Sequence, residues 1–217
     1  MCDCADTSRE APSKEQGETS SAGLGSLKPT VRSLLRAVRR ELHPWVVEQS
    51  IGYAVAQQAA NGEDLLAADG VLLYLAQENE VPTGLLICKA VAAGLPVFLP
   101  VSVEGGWTVA QWYPGSSLRR GKFGLWEPLH GASDVCKAGR LVAYVPVVAW
   151  ARNGVRLGRG AGVYDRLLAG LGEKVTLTVI GLAYEFQQVP YLPRDPWDVP
   201  VHKIVTERRV VVCPQGG

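Results

Sequence analysis

LVAYVPVVAWARNGVRLGRGAGVYDRLLAGLGEKVTLTVIGLAY, Leu141 to Tyr184, holds the pattern on which the fold turns. Its first ten residues, Leu141 to Trp150, form an apolar, valine-rich run suited to a buried strand. YDRLLAGL reads as a short helix, and VTLTVIGLAY, Val175 to Tyr184, as a second buried strand. Strands that are apolar throughout and joined through a helix imply parallel pairing, which is stable when helices cover both faces of the sheet.

The same alternation continues toward the N-terminus. GVLLYLA, Gly70 to Ala76, is a short apolar run; Pro82 to Ala93 has proline at its start and Gly94 at its end, as a helix does; LPVFLPV, Leu95 to Val101, is another buried strand. Gly105 to Gly131, with its tryptophans and glycines, is expected to form a hairpin and irregular turns. Trp45 to Ala60 reads as a helix ended by Asn61 and Gly62. Before it, Val31, Leu34, Leu35, Val38 and Leu42 recur at helical spacing, with Arg32, Arg36, Arg39 and Arg40 expected on the remaining surface. The expected fold is α/β: an open, mainly parallel, twisted, Rossmann-like sheet with helices on both faces and an N-terminal helical segment.

Residues 1–26 hold five acids against two bases, are rich in Ser and Gly, and lack apolar periodicity, so they read as a disordered tail. Residues 27–217 are expected to form a single domain, a length that suits one core. The apolar share is 47% and the charged share 20%, as in ordinary globular proteins. Lys+Arg at 22 against Asp+Glu at 21 gives a formal charge of +1, which provides no overall field for nucleic acid or an anionic membrane. With no apolar run of membrane length and no secretory layout at the N-terminus, a cytoplasmic protein is expected, and a monomer. Five scattered cysteines and three histidines, His43, His130 and His202, show no metal-ligand or triad spacing, so reduced thiols are the simplest reading.

The chemistry is expected at RLGRGAGVYDR, Arg156 to Arg166, between the first strand and the helix of the opening stretch. Glycines at 158, 160 and 162 let the backbone turn tightly and bring N–H groups near an anion, and the following helix offers its positive end. Arg156 and Arg159 add fixed positive charge. Asp165, in the first helical turn, could face a cation held by phosphate oxygens or balance the charge of its helix. No Gly-Lys-Ser/Thr follows, so this is not the Walker pattern. A dinucleotide fingerprint stays open as a second reading through Gly158, Gly160 and Glu185, although its third small residue would fall at Val163. A purely steric glycine turn is the third.

The surrounding residues resemble the 5-formyltetrahydrofolate cyclo-ligase (methenyltetrahydrofolate synthetase) family. The loop is similar to that family's RLG-G-GYYDR. FGLWEP (Phe123 to Pro128) resembles its FGI-EP turn, IGLAYEFQ (Ile180 to Gln187) its later strand and Gln, and LPRDPWDVPVHKIVTE (Leu192 to Glu207) its closing segment. Lys28 and Arg32 match a K-x-x-x-R pair, and Glu80 and Thr83 an E-x-x-T that follows the first strand. The likeness spans about residues 27 to 207.

The resemblance implies a cytoplasmic ligase of one-carbon metabolism that cyclises 5-formyltetrahydrofolate to 5,10-methenyltetrahydrofolate with ATP and Mg²⁺, through a phosphorylated formyl group, releasing ADP and phosphate. It implies that Lys28, Arg32 and the loop Arg156, Leu157, Gly158, Arg159, Gly160, Ala161, Gly162, Val163 and Tyr164 bind ATP. Leu75 and Glu80 would contact the folate with Arg159 to Val163, and Asp165 and Asp198 would hold the metal. The chain departs from the pattern at Val163 (tyrosine in the family), Ala151 (aspartate) and His202 (usually aspartate). A relative that binds nucleotide or folate without turnover, or acts on another substrate, is the alternative these departures leave.

Overall fold

The computed structural model describes residues 27–129 and 135–214. The N-terminal tail and His130 therefore lie outside the described residues.

Four helices open the chain: α1 (Leu27–Arg40), α2 (Pro44–Gln49), α3 (Ile51–Ala60) and α4 (Glu63–Leu66). Strand β1 (Gly70–Leu72), helix α5 (Gly84–Ala92) and the hairpin β2 (Val97–Val103) and β3 (Gly106–Trp112) follow, then the small ribbon β4 (Leu118–Arg120) and β5 (Trp126–Pro128). The opening stretch of the sequence becomes β6 (Arg140–Pro146), a two-stranded arm β7 (Ala149–Trp150) and β8 (Arg156–Leu157), helix α6 (Val163–Gly172) and β9 (Thr176–Leu182). Strands β10 (Lys203–Val205) and β11 (Val210–Val212) complete a seven-stranded sheet of order β11-β10-β9-β6-β1-β2-β3.

Five neighbouring strands, β10, β9, β6, β1 and β2, are parallel, and antiparallel β3 and β11 close the edges. The expected mainly parallel α/β sheet is what forms. Val71 faces Val97 on one side and Val142 on the other, so β1 is central and fully buried. The crossover from β1 to β2 runs one way along the sheet and that from β6 to β9 the other. Right-handed connections therefore set α5 and α6 on opposite faces. The order reverses between β1 and β6, and a crevice opens beyond their carboxyl ends.

Several boundaries differ from the expected ones, each for a local reason. The helix expected over Trp45–Ala60 breaks at Ser50, which leaves helical geometry at φ −131°, ψ −100°. The break lets Gly52 pack hard against the Val47 carbonyl oxygen and Pro82. Gly52→Ala, ordinarily stabilising within a helix, is therefore expected to destabilise the fold by about 1–3 kcal/mol through overpacking. A urea midpoint equal to or above the parental one would refute this.

The run Leu141–Trp150 is two strands because the chain turns at Pro146; buried Gln187 donates to both carbonyls, Val147 and Val148, exposed by that corner (2.9 Å each). Gly70–Ala76 is a strand only to Leu72, after which Tyr74 and Leu75 join the crevice wall. The largest correction is in α1. Leu34 and Val38 are 62% and 43% exposed, whereas Lys28 and Arg39, the latter expected on the surface, are buried. Only Val31 and Leu35 pack inward, on the cluster of Ala149, Val155, Leu157 and Leu192 at the β7–β8 arm. Acidic side chains beneath the helix decide this, as the site shows.

Candidate functional site

Beyond β1 and β6 lies a cavity of about 170 Å³. Every site residue expected from the sequence lines it. Lys28 and Arg32 come from α1, Leu75 and Glu80 from the segment after β1, Arg156 to Tyr164 from the β8–α6 turn, Asp165 from α6 and Asp198 from the closing segment. The wall also includes Tyr74, Phe123, Leu125, Pro146, Val148, Asp195 and Trp197.

The β8–α6 turn has the backbone its glycines promise at two of three positions. Gly160 has φ +109°, and Gly162, φ +61°, is the N-cap of the ten-residue α6. A left-handed glycine cap brings no side chain to the first-turn N–H groups, so these amides keep their donors for a ligand. Arg32 Nε donates to the Gly158 carbonyl (2.8 Å) and its guanidinium lies against Gly160, fixing α1 to the turn. Arg166 Nη2 donates to the Ala161 carbonyl (2.7 Å). Among the described residues, Arg156 Nε and Tyr164 Oη are buried in this wall without a hydrogen-bond partner, whereas Arg159 Nε faces the Glu80 carboxylate at 3.3 Å. Buried donors are ordinarily satisfied, and two orphans in one cavity wall describe the outline of an acceptor-rich, anionic guest. Burial pushes the Tyr164 hydroxyl far above its usual range, helped by Glu80, so it stays a protonated donor.

The two carboxylates expected to hold metal are each engaged by a base. Asp165 Oδ1 accepts from Arg156 Nη2 (2.9 Å) and from the Val199 amide (3.4 Å). Asp198 Oδ2 accepts from Lys28 Nζ (2.9 Å) and from the Asp195 amide (2.9 Å), so it closes a turn and faces the cleft at once. Lys28 also donates to Asp195 Oδ2 (2.6 Å). Burial alone would lower the Lys28 ammonium, but its hydrogen bonds to the two aspartates outweigh that and raise it. Pro29 does not displace Lys28, which lies in the first turn of α1. Among the described residues no three His, Cys, Asp or Glu side chains stand close enough to hold a metal by themselves. Hard divalent cations such as Mg²⁺ are commonly bound by one or two carboxylates plus substrate phosphate, and the pair Asp165 and Asp198 fits that donor set.

On the other wall, four arginines converge on two glutamates. Glu78 binds Arg36 and Arg40 (2.9 and 3.0 Å) and lies 3.4 Å from Arg159. Glu80, 5% exposed, lies 3.3 Å from Arg159 and 3.6 Å from buried Arg39. Gln77 accepts from Arg159 Nη1 (2.9 Å) and donates to the Gly124 carbonyl (2.6 Å), so the glycine turn, the segment after β1 and the Phe123 turn are one connected unit. Burial raises Glu80, and Arg39 and Arg159 restrain it. Burial would also raise Glu78, but hydrogen bonds from Arg40 and Arg36 bring it down from 4.5 to about 2. A depressed carboxyl contributes stability above its unfolded value and loses it as pH falls toward the folded one. Thermal stability is thus expected to fall between pH 4.5 and 2, and Glu78→Gln to flatten that fall. Equal slopes in calorimetric scans of the two proteins would refute the assignment.

Sequence reasoning missed the aromatic rim. Phe123, 64% exposed and at φ +56°, stacks on Trp107 with ring centroids 6.2 Å apart; Trp197, 70% exposed, stands between Asp195 and Asp198. Wall-lining aromatics with so much free surface suit a planar ligand ring. Of the three departures from the family pattern, only Val163 lines the cavity. Ala151 is buried in the β7–β8 arm, and His202 accepts from the Val179 amide (3.0 Å) with burial lowering its pKa. No helix among the described residues is long and apolar enough to cross a membrane.

Comparison with known proteins points to one family. Residues 25–207 match the model of the 5-formyltetrahydrofolate cyclo-ligase family. The 5-formyltetrahydrofolate cyclo-ligase of Haemophilus influenzae is 32% identical over 179 residues, which cover 81% of this chain and 95% of the relative. That of Escherichia coli K12 is 33% identical over 181 residues, 82% and 98%. The solved 5,10-methenyltetrahydrofolate synthetase of Aquifex aeolicus superposes with TM-score 0.71 at 29% identity, covering 88% of this chain and 95% of that one. The synthetase of Mycoplasma pneumoniae, TM-score 0.60 at 20% identity, shares the fold.

Proposed function

The chain belongs to the 5-formyltetrahydrofolate cyclo-ligase family, a family of ligases, and from that premise we propose that it converts 5-formyltetrahydrofolate to 5,10-methenyltetrahydrofolate with cleavage of ATP to ADP and phosphate. A formyl oxygen on nitrogen is a poor leaving group. Transfer of the γ-phosphoryl group to that oxygen creates an activated imino-phosphate. N10 then attacks the formyl carbon and gives up its proton to solvent or to the departing phosphate, and the C–O bond breaks as phosphate departs with its electron pair. The enzyme's share of the work is positioning and neutralisation of charge.

Under this reading Lys28, Arg32 and Arg156 to Tyr164 receive the nucleotide, with the orphaned Arg156 Nε and Tyr164 Oη donating to its phosphate or to the transferring oxygen. Leu75, Glu80 and Arg159 to Val163 receive the folate, where the Glu80 carboxyl, raised by burial, suits a hydrogen bond to a polar ring edge. Asp165 and Asp198 would hold Mg²⁺, whose charge would assist departure of ADP. The observation that carries the proposal is the gathering, in one cavity at the sheet's reversal point, of residues from α1, the segment after β1, the glycine turn and the closing segment. Purified protein with 5-formyltetrahydrofolate, ATP and Mg²⁺ should produce methenyltetrahydrofolate absorbance with one ADP per product. No ATP-dependent product beside an active relative would end the proposal.

Residues 27–217 would act as a single domain and a cytoplasmic monomer, with residues 1–26 as a tail and no nucleic-acid or membrane partner. Val163 favours a second reading, because it puts an aliphatic side chain in the cavity where the family pattern has an aromatic one. A chain that binds nucleotide and folate without turnover, or that takes another formylated substrate, would give a calorimetric binding isotherm but form no ADP from ATP in the presence of 5-formyltetrahydrofolate.

A further inference from the structure

Lys28 and a divalent cation have claims on the same oxygens. The Lys28 ammonium, in a residue only 9% exposed, sits between Asp195 Oδ2 at 2.6 Å and Asp198 Oδ2 at 2.9 Å, joining the first turn of α1 to the far end of the chain. The acidic turn itself is tightly made: the Asp195 amide donates to Asp198 Oδ2 (2.9 Å) and the Asp198 amide to the Asp195 carbonyl (3.0 Å). Its two carboxylates therefore present a fixed cradle for positive charge, which Lys28 fills. The second expected metal carboxylate is engaged in the same manner, Asp165 by Arg156, whose side chain is 2% exposed.

We propose that Lys28 is an internal counter-cation that occupies the Asp195–Asp198 cradle until nucleotide arrives, and that Asp195 joins Asp198 in receiving the divalent cation once Lys28 has moved to phosphate. The proposal rests on the nucleotide-site reading above. An ammonium and a divalent cation repel at bonding range, so one oxygen pair serves one of them at a time. A cation arriving alone would have to expel a buried ammonium from the two carboxylates that hold it among the described residues, leaving that charge unpaired. A cation arriving with nucleotide brings the compensating anion: Lys28 exchanges carboxylate for phosphate oxygen, and the cradle opens as it is needed. The free protein therefore excludes divalent cations and admits them with nucleotide. Asp195, three residues before Asp198 in the same turn, is the additional carboxylate ligand of the cation.

The test measures free Mn²⁺ by electron paramagnetic resonance in the presence of the full chain, with and without a non-hydrolysable ATP analogue. The parental protein should bind Mn²⁺ at least tenfold more weakly without the analogue than with it. Lys28→Met should gain at least tenfold in Mn²⁺ affinity without nucleotide, and adding Asp195→Asn should remove that gain. Equal Mn²⁺ affinity of the parental protein and Lys28→Met without nucleotide, while the parental protein binds Mn²⁺ with the analogue, overturns the counter-cation role and leaves the nucleotide site standing. Failure of the parental protein to bind Mn²⁺ even with the analogue overturns the metal reading and this inference with it. Should Lys28→Met fail to fold, Asp195→Asn alone decides: the inference requires at least a fivefold loss of Mn²⁺ affinity with the analogue present, and an unchanged affinity overturns it.

Discussion

Arg159→Leu should lower turnover about 10²–10³-fold, the loss expected when one preorganised charge-stabilising donor is removed, equivalent to about 3–4 kcal/mol in the transition state. Arg159 is the residue through which both walls of the cavity communicate. It lies on the glycine turn, donates to Gln77, and faces Glu78 and Glu80 at 3.4 and 3.3 Å. Its loss would leave Glu80, 5% exposed, with Arg39 and the Gln77 amide to restrain the upward push of burial. The Glu80 carboxyl should therefore rise further, and the limb of the pH profile that it governs should move to higher pH. Arg159→Lys should restore little, since a point charge does not reproduce a planar fork that spans Gln77 and two carboxylates. Steady-state rates across pH check both statements. A variant that keeps parental kcat and pH profile would make Arg159 a structural strut.

Asp165→Asn carries the second large effect. A neutral amide is a poorer ligand for a hard cation, so turnover should fall by about 10²-fold or more and the Mg²⁺ requirement should rise. Stability should change little, because the amide oxygen still accepts from Arg156 Nη2 and the Val199 amide. Asp165→Ala differs in kind: it strands the Arg156 guanidinium, 2% exposed, without its partner and should cost about 3 kcal/mol or more. Comparing the two variants by magnesium titration and by denaturation separates the carboxylate's roles. If Asp165→Asn turns over at the parental rate, Asp165 serves only to hold Arg156.

The parallel sheet was legible because buried strands of seven residues, such as β2, β6 and β9, leave uninterrupted apolar runs. Strands β10 and β11, three residues each, leave no such trace and are recognisable only by the neighbours they pair with. The corner at Pro146 was concealed because its exposed carbonyls are satisfied by Gln187, forty residues on. The glycine turn and the residues on the cavity wall were readable as motif positions, a local property. Which side of α1 faces inward was not readable, because apolar periodicity assumes that the buried partner is apolar. Here the partners are Glu78, Glu80, Asp195 and Asp198, so the charged stripe turns in and Leu34 turns out. Asp195 and Trp197 gave a weaker signal, lying within the same motif as Asp198 but made part of the cavity only by the turn that Asp198 closes.

The most direct measurement of the central claim is a crystal structure with a non-hydrolysable ATP analogue and Mg²⁺. The terminal phosphates should rest against the amides of Gly160 to Tyr164, with Arg156 Nε or Tyr164 Oη donating to them and the cation beside Asp165. A nucleotide bound elsewhere, with those donors turned to other protein groups, would contradict it.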